Sequence, residues 1–129
     1  MDSAVLFISP YLQDAQAIGS MLAEASVVVT HATCLEDAVS KLETGRFPVV
    51  LTEAKLVDGT WQDVLSLTRP RGAELLVTDA WADARFWAEA INLGAYDLLA
   101  QPFQGNEVRR VVTSASSQRV GAIRAKASP

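Results

Sequence analysis

Glu53 is the residue in this chain whose type and position most invite chemistry. It follows Pro48–Thr52, a run that is apolar up to its final threonine, so a lone carboxylate stands at the end of what reads as a buried strand. Other polar side chains stand directly after apolar runs: Ser9-Pro10, Thr78-Asp79 and Gln101-Pro102. Asp58, Asp79 and Asp83 add acidic groups in the intervening loops. A carboxylate in such company suits acid–base or nucleophilic work. Other chemistries are poorly supplied. Cys34 is the single cysteine and His31 the single histidine, which excludes an internal disulfide or a cysteine-rich zinc site and leaves little for a histidine triad. There is no Gly-rich phosphate loop, no G-x-S-x-G elbow and no cluster with metal-ligand spacing.

The elements that must position Glu53 follow from two periods. Ala4–Ser9, Ser26–Thr30, Pro48–Thr52, Glu74–Thr78 and Asp97–Ala100 are short apolar runs, too short for helices and bounded by turn residues. Between them Leu12, Ala15, Ile18, Leu22 and Ala25 make a helical stripe. Thr33–Glu36 has the form of a capping box opening a second helix, with Gly45 at its end. Trp61–Thr68, Asp83–Leu93 and a segment from Asn106, as N-cap, to about Gln118 complete the set. Strand and helix alternate five times with short connections. The expected fold is therefore an α/β (βα)5 doubly wound open parallel sheet, whose reactive edge lies at the strand C-termini.

Length and charge set the remaining bounds. The 129 residues suffice for one domain with a sizeable core. The formal charge of −4 excludes a generally basic nucleic-acid surface. Charge is uneven, because Arg109, Arg110, Arg119, Arg124 and Lys126 face only Glu107 in residues 104–129. This reads as a solvated last helix and linker, or as a basic tail that steers partners. The opening apolar run is too short for a signal sequence or a membrane span, so a cytoplasmic location is expected.

Three segments carry a resemblance to the receiver domain of two-component response regulators, over roughly residues 3–118, with 119–129 as a tail or linker. Glu53-Ala54-Lys55-Leu56-Val57-Asp58-Gly59 is similar to the family's acceptor aspartate and the L-P-D-G loop after it. Val77-Thr78-Asp79-Ala80 matches the end of its fourth strand. Leu93–Phe103 is similar to its G-A-x-D-Y-L-x-K-P-F segment. The resemblance implies strand order 2-1-3-4-5, a flavodoxin-like sheet and a role in phosphorelay signalling without enzymatic activity. It places Glu53 at the phosphoacceptor position, Thr78 and Gln101 at the positions that contact phosphate, Leu98 at the aromatic switch, and a cis bond before Pro102. It also implies protein partners, namely a histidine kinase, an output domain or another signalling protein, with neither nucleic acid nor membrane. The face of the fourth helix, fifth strand and fifth helix would bind partners or a second copy, and Trp81, Phe86 and Trp87 cluster there. Alternatively, Trp81 covers the pocket and one of the other two aromatics is core.

The departures from the family pattern decide the functional expectation. Ser9 and Pro10 stand where it has the acidic pair that holds Mg²⁺, so metal binding is expected to be weak or absent. Gln101 replaces a lysine and brings no charge. Phosphoryl transfer depends on positioning and on neutralising charge, and both sources of positive charge are gone. Glu53 is also one methylene longer than aspartate, which displaces its oxygens by about 1 Å and costs on the order of 10²-fold. The expectation is a divergent receiver acting by protein contacts, with no catalytic residue and no metal. Glu53 is then either a fixed mimic of the phosphorylated acceptor, bonded to Thr78, or a relic acid. Two alternatives stay open: a receiver that still accepts a phosphoryl group, and a small-molecule-binding module using the strand-end cleft.

Overall fold

The computed structural model describes the backbone of residues 3–127 and the side chains of 4–117. Five parallel strands form the central sheet: β1 (Ser3–Ile8), β2 (Val27–Ala32), β3 (Val49–Glu53), β4 (Glu74–Asp79) and β5 (Asp97–Ala100). Their order across the sheet is β2-β1-β3-β4-β5, the 2-1-3-4-5 arrangement expected. The helices are α1 (Leu12–Ala23), α2 (Leu35–Thr44), α3 (Trp61–Thr68), α4 (Ala84–Leu93) and α5 (Gly105–Ala127). A short antiparallel pairing of Lys55–Leu56 with Gly59–Thr60 links β3 to α3. No helix among the described residues is long and apolar enough to cross a membrane.

The period of two within each strand sorts side chains into two cores. Val5, Phe7, Val49, Leu51 and Leu76 meet Ala15, Ile18 and Leu22 of α1 and Val108, Val111, Val112 and Ala115 of α5. Leu6, Ile8, Val50, Leu75 and Val77 face the other way, against Ala38 and Leu42 of α2, Val64 and Leu65 of α3, and Ala90 of α4. Both faces of β3 are thereby covered, and all five of its residues are buried. Each fully buried leucine, isoleucine or phenylalanine contributes about 1.5–3 kcal/mol of transfer free energy. That anchoring fixes β3, and the end of β3 presents Glu53.

Several helix ends differ from the sequence expectation. The Thr33–Glu36 capping box does not form, because α2 starts at Leu35. Its first N–H groups are instead taken by a distant carboxylate: Leu35 N and Glu36 N donate to Asp58 at 2.8 and 3.0 Å. A true box opens α3, where Thr60 N donates to Asp63 at 2.9 Å. Asn106 is not the cap of α5, since that helix begins at Gly105 and Asn106 accepts from Arg109 Nη2 at 2.8 Å. Leu12 and Ala25 do not belong to the buried stripe of α1: Leu12 is 61% exposed and Ala25 lies beyond the helix end. α5 runs on to Ala127 rather than ending near Gln118, through a stretch rich in helix-favouring Ala, Arg and Lys. The side chains of the expected tail, including Arg119, Arg124 and Lys126, lie outside the described residues. Gly94 ends α4 at φ +121°, where a Cβ would fall 2.5 Å from the Arg69 guanidinium that bonds Leu93 O.

Candidate functional site

Glu53 and Thr78 are register partners at the ends of β3 and β4, and Gln101 follows β5 immediately. Parallel pairing therefore delivers three residues, far apart in sequence, to one point on the sheet edge. The Gln101 side-chain amide lies at its centre. Gln101 Nε2 stands 3.2 and 3.0 Å from the two Glu53 carboxyl oxygens and 3.1 Å from Thr78 Oγ1. Thr78 donates its own hydroxyl proton to Leu99 O at 2.7 Å. Glu53 therefore does not bond Thr78 directly, as a phosphate mimic was expected to do; Gln101 stands between them. The threonine proton goes to a β5 carbonyl that would otherwise be buried with one fewer partner.

Glu53 is only 6% exposed. Burial pushes its carboxyl up to about 7, against an opposing pull from the Gln101 hydrogen bond. The negative charges of Asp14 and Asp79 push in the same direction as burial, as does a hydrogen bond with Asp14. Asp14, in the first turn of α1, is a member of this site that sequence reasoning missed. Its only local signal was an acid at a helix start, which ordinarily just complements the dipole.

The β1 side of the edge is a turn into α1. Ser9 is fully buried; its Oγ accepts the Tyr11 N–H at 3.1 Å, and its carbonyl accepts from His31 Nε2 at 2.7 Å. Pro10 is exposed and offers no side-chain ligand. The Gln101–Pro102 peptide bond is cis. Beside the site, Asp14, Ala17, Met21, Ala80, Gln101, Pro102 and Phe103 line an open groove of about 540 Å³.

The remaining sequence candidates separate into several roles. Asp58 caps α2, which holds its carboxyl below the usual carboxylate range through two backbone N–H bonds. Asp83 caps α4 by accepting from Phe86 N at 2.8 Å. Asp79 accepts from Trp81 N at 3.2 Å. Leu98 is half-buried against the α2–α3–α4 core. Phe86 packs on Trp61 with ring centroids 6.1 Å apart. Trp87 is 49% exposed, and its indole N–H reaches Asp97 at 3.1 Å. Trp81 is 89% exposed, so it does not cover the pocket. Among the described residues, no cluster of three or more His, Cys, Asp and Glu is arranged to hold a metal ion.

Solved structures match this fold along almost the whole chain. The receiver domain of the Francisella response regulator 1452 superposes with a TM-score of 0.81 at 19% identity, covering 90% of this chain and 98% of that one. A CheY-like response regulator receiver domain protein from Methanospirillum hungatei gives 0.83 at 14% identity, covering 95% and 99%. The fold is that of receiver domains. The beryllofluoride-activated NtrC4 receiver domain dimer gives 0.83 at 19% identity, covering 90% and 98%. No protein-family model matches the sequence, and no curated protein matches it.

Proposed function

We propose that this receiver-fold domain is a divergent response-regulator receiver in two-component signalling that works by protein contacts, without standard aspartyl phosphorylation and without catalysing a reaction. The observation that carries this reading is the setting of Glu53: a buried carboxyl held by a neutral amide, with acidic neighbours. A phosphoryl group arriving there would meet negative charge where transfer needs positive charge. Ser9 and Pro10 do not fit a Mg²⁺ site, because neither is a carboxylate, the serine oxygen already receives the Tyr11 N–H and proline has no side-chain ligand atom. Weak or absent Mg²⁺ binding belongs to the same proposal.

The proposed partners are proteins: a histidine kinase, an output domain or another signalling protein, met in the cytoplasm. Trp81 and Trp87 are the exposed aromatic anchors for such contact, on or beside the face of α4, β5 and α5 where a second copy would also dock. Residues 3–118 form the receiver-like unit of this proposal, and 119–129 its tail or linker. Incubation with acetyl phosphate, or with beryllofluoride plus Mg²⁺, tests it. The expected result is no change of mass and no chemical-shift change at Glu53, Thr78 or Gln101. A mass increase of one phosphoryl group would establish the alternative of a receiver that still accepts phosphate.

A further inference from the structure

The two edges of the sheet are finished differently. β5 is four residues long, and its Asp97 carboxylate accepts the Leu98 N–H at 2.8 Å and the Trp87 indole N–H at 3.1 Å. Pro102, which lacks an N–H, follows just beyond its end. Short length, an acidic residue and a proline are devices that keep an edge strand from pairing with another chain. β2, at the opposite edge, has none of them. Its six residues, Val-Val-Val-Thr-His-Ala, include no proline, glycine, acid, lysine or arginine, and they pair with β1 in unbroken register from Val27 to Ala32. The His31 ring is turned back to the Ser9 carbonyl, and Asp37 bonds Thr33 N only past the strand's end. Among the described residues, no side chain bonds the backbone of Val27–Thr30.

Space for another strand lies alongside. Gly19 and Ala23 of α1 line a groove of about 370 Å³ with Ser26, Val27, Val28 and Val29. A Cβ at Gly19 would meet no heavy atom within 4 Å, and Val28 is 56% exposed. We infer that a second copy of this chain adds its own β2 to this edge, antiparallel about a two-fold axis at Val28, so that the two sheets become one. That axis sets the two copies' Val28 side by side and each Val27 opposite a Val29. A two-fold contact lays one patch against itself, so any charge on the patch would meet its like. Here valine meets valine. Of the acids flanking the strand, Glu24 and Asp37 are already paired with Arg109 and Lys41, and Glu36 lies past the strand's end, away from the axis. The edge is thus locally balanced although the chain carries −4. Val27 and Val29 pack on the α1 side, so the added strand brings the same two residues over the groove beside Gly19. The contact leaves the face of α4, β5 and α5, at the far edge, open to other proteins.

Sedimentation velocity of the whole chain, from micromolar to millimolar concentration, tests this. The expected result is a concentration-dependent dimer whose β2 amides exchange hydrogen more slowly as it forms. Val28→Lys sets two ammonium groups opposite each other and should hold the chain monomeric. Val28→Thr keeps an uncharged β-branched residue and should preserve the dimer. Val28 is exposed, so both variants should keep the circular dichroism of the parent. A parent that stays monomeric throughout would overturn the inference, as would a dimer that survives Val28→Lys. A dimer that forms with no slowing at the β2 amides, and that Trp87→Arg dissolves, would move the contact to the α4 face and overturn it too. A mass increase with acetyl phosphate would remove the phosphorylation-free reading without touching any of these outcomes.

Discussion

The two halves of the strand-end edge are built in opposite ways. On the β4–β5 side, Thr78 and Gln101 still converge on Glu53 through a connected hydrogen-bond network. On the β1 side, Ser9 bonds the Tyr11 N–H and the His31 ring, and the exposed Pro10 lies in the turn that leads into α1. Each buried polar group on either side is thus held by a partner within the chain. Buried polar atoms cost about 1–3 kcal/mol when unpaired, and each of these has found a partner.

The largest expected effect bears on the network side and comes from pH. Glu53 has a folded value of about 7 against 4.5 for an unperturbed carboxyl. A raised acid means that the folded state holds the extra proton between those values. Stability is therefore greatest below the lower value, falls as pH rises through the window, and levels off above about 7. The loss should be on the order of 3 kcal/mol, read as a drop in urea midpoint, and Glu53→Gln should flatten it. Asp37 and Asp58 have lowered carboxyls, the first chiefly through Lys41 and the second through two backbone N–H groups. Their contribution has the opposite sign and is lost only as pH falls below the usual carboxylate range.

Gln101→Leu should come next, at about 2 kcal/mol, because it strands the Glu53 carboxyl and takes a donor from Thr78. Equal urea midpoints for this variant and the parent would show that the network side is no more organised than the turn side. Gln101→Lys should sharpen the contrast by a different route. The added cation should draw the Glu53 midpoint down by about one unit or more in a carboxyl titration. Asp58→Ala removes the long-range cap of α2 and should lower the midpoint of thermal or chemical unfolding by less than Gln101→Leu does. Ser9→Ala should have the smallest effect, about 0.5–1 kcal/mol, because only the turn bond to Tyr11 N is lost. A loss as large as that of Gln101→Leu would erase the distinction between the two sides.

Much of this site was legible because its positions are set by local periods. The short apolar runs Pro48–Thr52, Glu74–Thr78 and Asp97–Ala100, with helical spacing between the runs, sufficed to place Glu53, Thr78 and Gln101 at strand ends. What escaped was made by contacts between distant segments. Asp58 reads as a loop acid and proves to be the cap of a helix over twenty residues upstream. Asp14 reads as an ordinary helix-start acid and proves to line the groove beside Gln101. Thr33-Cys34-Leu35-Glu36 has the letters of a capping box, yet the box forms at Thr60–Asp63, where the chain enters α3 from its short pairing with Lys55. The exposure of Trp81 was equally invisible, since aromatic content does not say which ring finds a neighbour.

The three indoles occupy three distinct environments, and that gives the molecule its own optical reporters. Trp61 is 6% exposed and should emit at short wavelength, Trp81 is 89% exposed and should emit at long wavelength, and Trp87 lies between them with its N–H on Asp97. Trp81 follows Asp79 by two residues and bonds it through the backbone, so its emission is placed to register charge changes around Glu53. Trp61 reports global unfolding from inside the core, and quenching by a water-soluble agent would tell the two signals apart without any added label.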